Sequence, residues 1–194
     1  KAATAEKLLT GFIDEAEKEL TYIDSVYDAV SRTSGESELL EIRQELSEQG
    51  YLKRYSAKNS KFVKAQPPLR YRSSDGYLIW CGRNNKQNDK LTLKEARPDD
   101  IWFHTKDFPG SHVILVTEGT PLDDIPIRTV EEAAMIAAYN SRARSAALVP
   151  VQYIQARQVR KPSGAKPGMV IFDHYFVLYI TADEEKVNAM LENR

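Results

Sequence analysis

The sequence predicts an α+β fold, a mainly antiparallel sheet with packed helices, preceded by an antiparallel helical hairpin. Three observations predict it. Leu9, Ile13, Ala16, Leu20, Ile23, Tyr27 and Val30 step by 4, 3, 4, 3, 4 and 3, a coiled-coil seam set among Glu, Asp and Lys. Between residues 70 and 181, short apolar runs alternate with turn residues, as strands of hairpins do. Among them lies one helical stretch with an Ala-rich face (Ala133, Ala134, Ala137, Ala138), small enough to approach a sheet closely.

Taken in order, the seam helix breaks at residues 31–37, which hold Gly35. A second helix over 37–49 carries Leu39, Ile42 and Leu46, and Gly50 stops it. Neither helix is stable alone in water, so the two pair with each other or pack on the globular domain. Residues 1–50 are thus the end of a coiled-coil hairpin. Residues 51–69 read as a basic tether, with Lys53, Arg54, Lys58, Lys61 and Lys64 ahead of Pro67-Pro68. Residues 70–194 form the globular domain. Strands at 70–72 and 77–81 flank the turn Ser73-Ser74-Asp75-Gly76. A helix capped by Asn84 or Asn85 runs to about Ala96, closed by Pro98. Strands come next at 101–105 and 111–117, then a helix capped by Thr129 and reaching about Ser145. Strands at 149–155 and 158–160, a hairpin of 169–172 with 175–181 and a closing helix over 183–191 complete the chain.

With 194 residues, 42% hydrophobic and 28% charged, the chain has material for one core and an appendage. No stretch is apolar enough to span a bilayer, and none reads as a secretion signal. The chain opens on Lys1 rather than Met, as a piece of a longer protein would. Its single cysteine, Cys81, beside Ile79 and Trp80, fits a buried strand thiol and a reducing, cytoplasmic compartment. Charge is strongly polarised. Residues 1–50 hold 5 Lys/Arg against 12 Asp/Glu, residues 51–97 hold 12 against 3, and residues 98–194 hold 10 against 13. The basic middle interleaves its cations with Tyr51, Tyr55, Phe62, Tyr71, Tyr77 and Trp80, a footprint of nucleic-acid binding. The alternative is a basic segment leaning on the acidic helices.

Residues 82–113 concentrate the chemistry. Arg83, Asn84, Asn85, Lys86, Gln87, Asn88 and Lys90 come after Gly82 at a strand-to-helix corner, where free helix N–H groups favour an anion. Amide and cationic side chains of this kind suit phosphates and base edges. No acid, base and nucleophile stand there in catalytic order, so the expectation is a binding protein without cofactor. His104 and His112, with Asp99, Asp100 or Asp107, invite a metal, but the spacing favours a strand histidine beside Trp102 and a locally bonded one. Ser111 and His112 are strand neighbours that point apart, so they form no nucleophile–base pair. Trp102 and Phe103 also point apart, one to the core and one free to stack on a base. Residues 161–168 are no P-loop, lacking Gly-Lys-Ser/Thr and a following helix. They read either as a Pro/Gly turn or as an RNA-contact loop that lays Lys161 and Lys166 beside phosphates, with Arg157 and Arg160 just before it.

Residues 82–92, 99–104, 109–113 and 161–168 together resemble the RNA-binding domain of the NFACT family, the ribosome-associated quality-control factors. Residues 41–52 resemble the returning end of that family's coiled-coil middle domain. The resemblance implies partners in the large ribosomal subunit, stalled with peptidyl-tRNA, and in tRNA recruited for C-terminal alanine tailing. The family's amino-terminal tRNA-reading domains are missing from this stretch, so it is expected to bind without supporting tailing. Gram-positive members are also described as fibronectin- or fibrinogen-binding proteins, which makes cell-surface adhesion the alternative function. On this reading the RNA-facing patch is Arg83 to Asn88 with Lys90. Trp102, His104, Ser111 and His112 flank it, and Arg160, Lys161 and Lys166 are secondary cations.

Overall fold

A computed structural model describes residues 2–53 and 66–192, with side chains from residue 4 onward. Arg54, Lys58, Lys61 and Lys64 of the expected tether lie outside the described residues. The architecture is the α+β fold anticipated. Helices α1 (Ala2–Arg32) and α2 (Glu36–Glu48) form the hairpin. Strands β1 (Leu69–Arg72) and β2 (Leu78–Cys81) lead to the short helix α3 (Asn85–Lys90), which continues as a π-helical turn, Leu91–Glu95. Then come β3 (Ile101–Thr105), β4 (Val113–Leu115), α4 (Ile127–Tyr139), β5 (Val149–Gln155), β6 (Phe176–Ile180) and α5 (Glu184–Met190). No helix among the described residues is long and apolar enough to cross a membrane.

The six strands form one sheet in the order β1-β2-β4-β3-β5-β6, and every pairing is antiparallel. Alternation along β3 divides its side chains between two cores. Ile101 and Phe103 pack under α4 with Ala133, Ala134 and Ala137, whose small side chains let that helix lie close. Trp102 goes the other way, into a second cluster with Leu91, Ile114, Ile154 and Val159. Trp102 is 1% exposed and Phe103 0%, so neither ring is free to stack on a base, each being packed within its own cluster.

Four local expectations are corrected. α4 starts directly after Pro126, so Thr129 lies within its first turn and its hydroxyl donates to Asp75 Oδ2 (2.8 Å) instead of capping. The same helix ends at Asn140, whose Nδ2 donates to Ile136 O. Residues 169–172 do not pair with β6. Ile171 bridges Arg160 instead, and β6 adds to the edge of the sheet beside β5. The apolar seam of α1 is turned outward: Leu9, Ile13, Leu20 and Tyr27 are each exposed. The helix is held by a different stripe, Tyr22, Val26 and Ala29, which meets Ile42 of α2.

Candidate nucleic-acid interface

The corner begins with a close approach. A Cβ on Gly82 would stand 2.2 Å from Asn88 Oδ1, so only glycine lets the Asn88 side chain fold back across the strand end. Asn88 Oδ1 then accepts the His112 N–H at 3.0 Å, tying α3 to the start of β4. Asn84 caps α3, its Oδ1 accepting the Gln87 N–H at 3.0 Å, as the sequence indicated.

The rest of the corner faces inward, against the hairpin. Glu38, Glu41, Glu45 and Glu48 recur at helical spacing on α2 and present carboxylates to α3. Arg83 Nη1 meets Glu38 Oε1 at 2.6 Å with both side chains largely buried, and its Nε donates to Pro67 O. Asn84 Nδ2 donates to Glu41 Oε2, and Gln87 Nε2 to Glu41 Oε2 and Gln66 O. Asn85 Nδ2 donates to Ser25 Oγ (2.9 Å) on α1 and Glu45 Oε1 (3.1 Å) on α2. Glu45 also accepts the Tyr22 hydroxyl at 2.8 Å, and burial raises its carboxyl above the ordinary value despite those bonds. Lys86 pairs with Glu48 at the edge of the contact. Asn84, Asn85, Gln87 and Asn88 are each 9% exposed or less. The Arg83–Asn88 run, expected to face outward, is therefore turned largely towards the hairpin, with Lys86 at the edge partly exposed.

The 161–168 loop is pinned to the same contact. Lys161 Nζ donates to Asp89 Oδ2 (2.6 Å) and Lys166 O (2.7 Å), and Gly168 N to Asp89 Oδ1. Lys166 Nζ lies 4.5 Å from the Tyr51 ring centroid and 5.2 Å from that of Tyr22, donates to Tyr51 Oη, and pairs with Glu19. Lys161 thus ties the loop to α3, and Lys166 ties it to the hairpin. Arg160 is 65% exposed and pairs with Asp173 at the surface.

On the outer face of the sheet, His104 stacks on Trp102 with centroids 5.7 Å apart, and His112 meets Trp102 edge-on at 5.1 Å. His112 Nδ1 is 2.8 Å from Thr92 Oγ1. Burial lowers His104 to about 4 and holds His112 well below its ordinary value, so both rings are neutral at pH 7. Ser111 points the other way. Its hydroxyl donates to Gly82 O and accepts from Arg32 Nη1, which is also paired with Asp28.

The family profile described as the NFACT protein RNA binding domain matches residues 68–174, and that of the NFACT N-terminal and middle domains matches residues 1–65. The chain belongs to the NFACT family. The Rqc2 homolog RqcH of Streptococcus suis is 41% identical over 98% of this chain and 33% of its own length. That of Bacillus subtilis is 40% identical over 96% of the chain and 32% of its own length. The NFACT chain thus spans about a third of these curated relatives. Among solved structures, the C-terminal part of the fibronectin/fibrinogen-binding protein from Streptococcus suis superposes with a TM-score of 0.87. It is 40% identical, covering 97% of this chain and 74% of that one.

With the corner covered, one group of exposed cations lies further along the chain. Lys94 and Arg97, at the end of the π-helical turn, are exposed and without an ion-pair partner among the described residues. Lys90 is 65% exposed beside Glu95. Arg157 adjoins them, its N–H donating to Pro98 O and its guanidinium pairing with Asp99, and Arg160 is close by in the chain. Lys94, Arg97 and Arg157 were not among the expected contact residues. For Lys94 and Arg97 the signal was the net positive charge of segment 51–97, which does not say which of its cations stay free.

Proposed function

We propose that this chain is the RNA-binding end of a ribosome quality-control factor, acting by binding rather than by catalysis. The reading is carried by one observation: a domain matching the family's RNA-binding profile carries Lys94 and Arg97 exposed, and without an ion-pair partner among the described residues, beside Lys90 and Arg157. In this reading the rim formed by residues 90–97 and 157–160 meets the phosphates of ribosomal RNA on the large subunit, or of tRNA. The chain then works within a longer cytoplasmic factor, since it spans about a third of the RqcH relatives. Recruitment of tRNA for alanine tailing belongs to that longer assembly.

The test is binding to purified large ribosomal subunits and to tRNA across a salt series, wild type against Lys94→Glu/Arg97→Glu. Binding that weakens with salt, and at least tenfold in the variant, supports the reading. Unchanged binding in the variant removes the rim from it. The structural likeness to a fibronectin/fibrinogen-binding protein supports a second reading, in which the chain itself binds fibronectin or fibrinogen at the cell surface. Saturable fibronectin binding that excess RNA does not compete, with no ribosomal binding, would put that reading first.

A further inference from the structure

The hairpin leaves a concavity on the outer face of the sheet, a cleft of about 480 Å³ bounded by α1, the 106–110 loop and the 168–172 segment. That volume lies within the range of small-molecule sites. Trp102 and His104 contribute stacked aromatic surface, Phe172 tilts against Trp102 at 4.9 Å, and Phe108 at the rim is 40% exposed. The indole Nε1–H of Trp102 is buried and has no acceptor among the described residues. An unmet buried donor carries a desolvation penalty that a ligand acceptor removes. Gln152, across from His104 in the sheet register, also lines the cleft and makes no side-chain hydrogen bond among the described residues.

The charges exclude an anion from the interior. Among the described residues no Lys or Arg lines the cleft, whereas Asp24 and Asp107 do. Cations stand just outside: Lys106, 5.9 Å from the Tyr175 ring, and Arg142, paired with Asp24. Aromatic surface, an unmet donor and a free amide inside, with cations outside, suit a planar neutral heterocycle whose phosphates remain at the mouth.

We propose that this cleft receives one unstacked nucleobase of single-stranded RNA, held against His104 and Phe108 and read by Trp102 Nε1–H and the Gln152 amide. The inference rests on the RNA-binding reading above. Its test tracks the indole N–H resonances of the 194-residue chain by NMR, with Trp80 as internal reference. The probes are adenosine, cytidine and uridine monophosphates, a single-stranded RNA of about 12 nucleotides and its duplex. Trp102 is expected to shift while Trp80 does not, and single-stranded RNA to bind more tightly than duplex. Phe108→Ala and Gln152→Leu should each weaken single-strand binding about five- to hundredfold with unchanged melting. RNA binding with a still Trp102 and unaffected variants would overturn the cleft and leave the RNA reading standing. A Trp102 shift with mononucleotides, without binding of any RNA, would keep the nucleobase site and overturn the RNA reading.

Discussion

Glu45 shows how one residue carries the contact between hairpin and domain. The residue is 1% exposed, and its carboxylate joins Tyr22 on α1 to Asn85 on α3. Because burial raises its folded value, the docked state binds the proton more tightly than the unfolded chain does. Stability from this group is therefore greatest at low pH and falls as pH rises from the ordinary carboxylate value through the raised one. Glu45→Gln should flatten that slope in urea unfolding. Glu45→Ala should cost about 1–3 kcal/mol, since it strands the Tyr22 hydroxyl and the Asn85 amide. Gly82 sets a steric limit of a different kind. In Gly82→Ala the new methyl must displace Asn88, whose Oδ1 would lie 2.2 Å away, at about 1–3 kcal/mol. Loss of hydrogen-exchange protection at the His112 amide, the donor to Asn88, is the matching local readout.

At the scale of elements, the histidines on β3 and beside β4 give the opposite pH sign. Their folded values lie below the ordinary 6.5, so the unfolded chain takes up protons first. Their contribution is complete above pH 6.5 and is lost as pH falls towards 4, amounting for His104 to roughly 3 kcal/mol by pH 4. Urea unfolding at pH 7.5, 5.5 and 4.5 should show this fall, and stability that rises throughout that descent would contradict it. The elements themselves were legible from period and punctuation: the α1–α2 hairpin, the Asp75-Gly76 turn and the Asn84 cap, whereas the partner of His112 is not local but Thr92, twenty residues away. The direction in which the corner faces was harder to read. A run such as Arg83–Asn88 looks solvent-directed because a one-dimensional pattern does not say which polar groups will meet. The 3, 4, 3 spacing of Glu38, Glu41, Glu45 and Glu48 was the available signal, a carboxylate line complementary to that run. The α1 seam misled for a related reason. Periodicity identifies an apolar face without naming its partner, and here the Tyr22-Val26-Ala29 stripe makes the contact.

At the scale of the whole molecule, the acidic hairpin lies on α3, and its carboxylates neutralise Arg83 and Lys86 of the basic segment that suggested nucleic-acid binding. The contacts differ in their sensitivity to salt. Lys86–Glu48, Arg142–Asp24 and Lys166–Glu19 are partly exposed, and such pairs contribute little and are screened. Arg83–Glu38 and the Asn85–Glu45–Tyr22 group are buried and screened far less. Raising salt to about 0.5 M, where the Debye length is only a few ångströms, should therefore release RNA while the hairpin stays docked. A fluorescence distance between labels at Lys18 on α1 and Ser163 in the 161–168 loop should remain constant through that transition. In Glu38→Ala the Arg83 guanidinium loses its buried carboxylate, a change that costs about 3–5 kcal/mol when a buried pair is broken. That distance should then lengthen at the same salt. If the wild-type distance lengthens in step with RNA release, surface pairs rather than the buried group hold the hairpin.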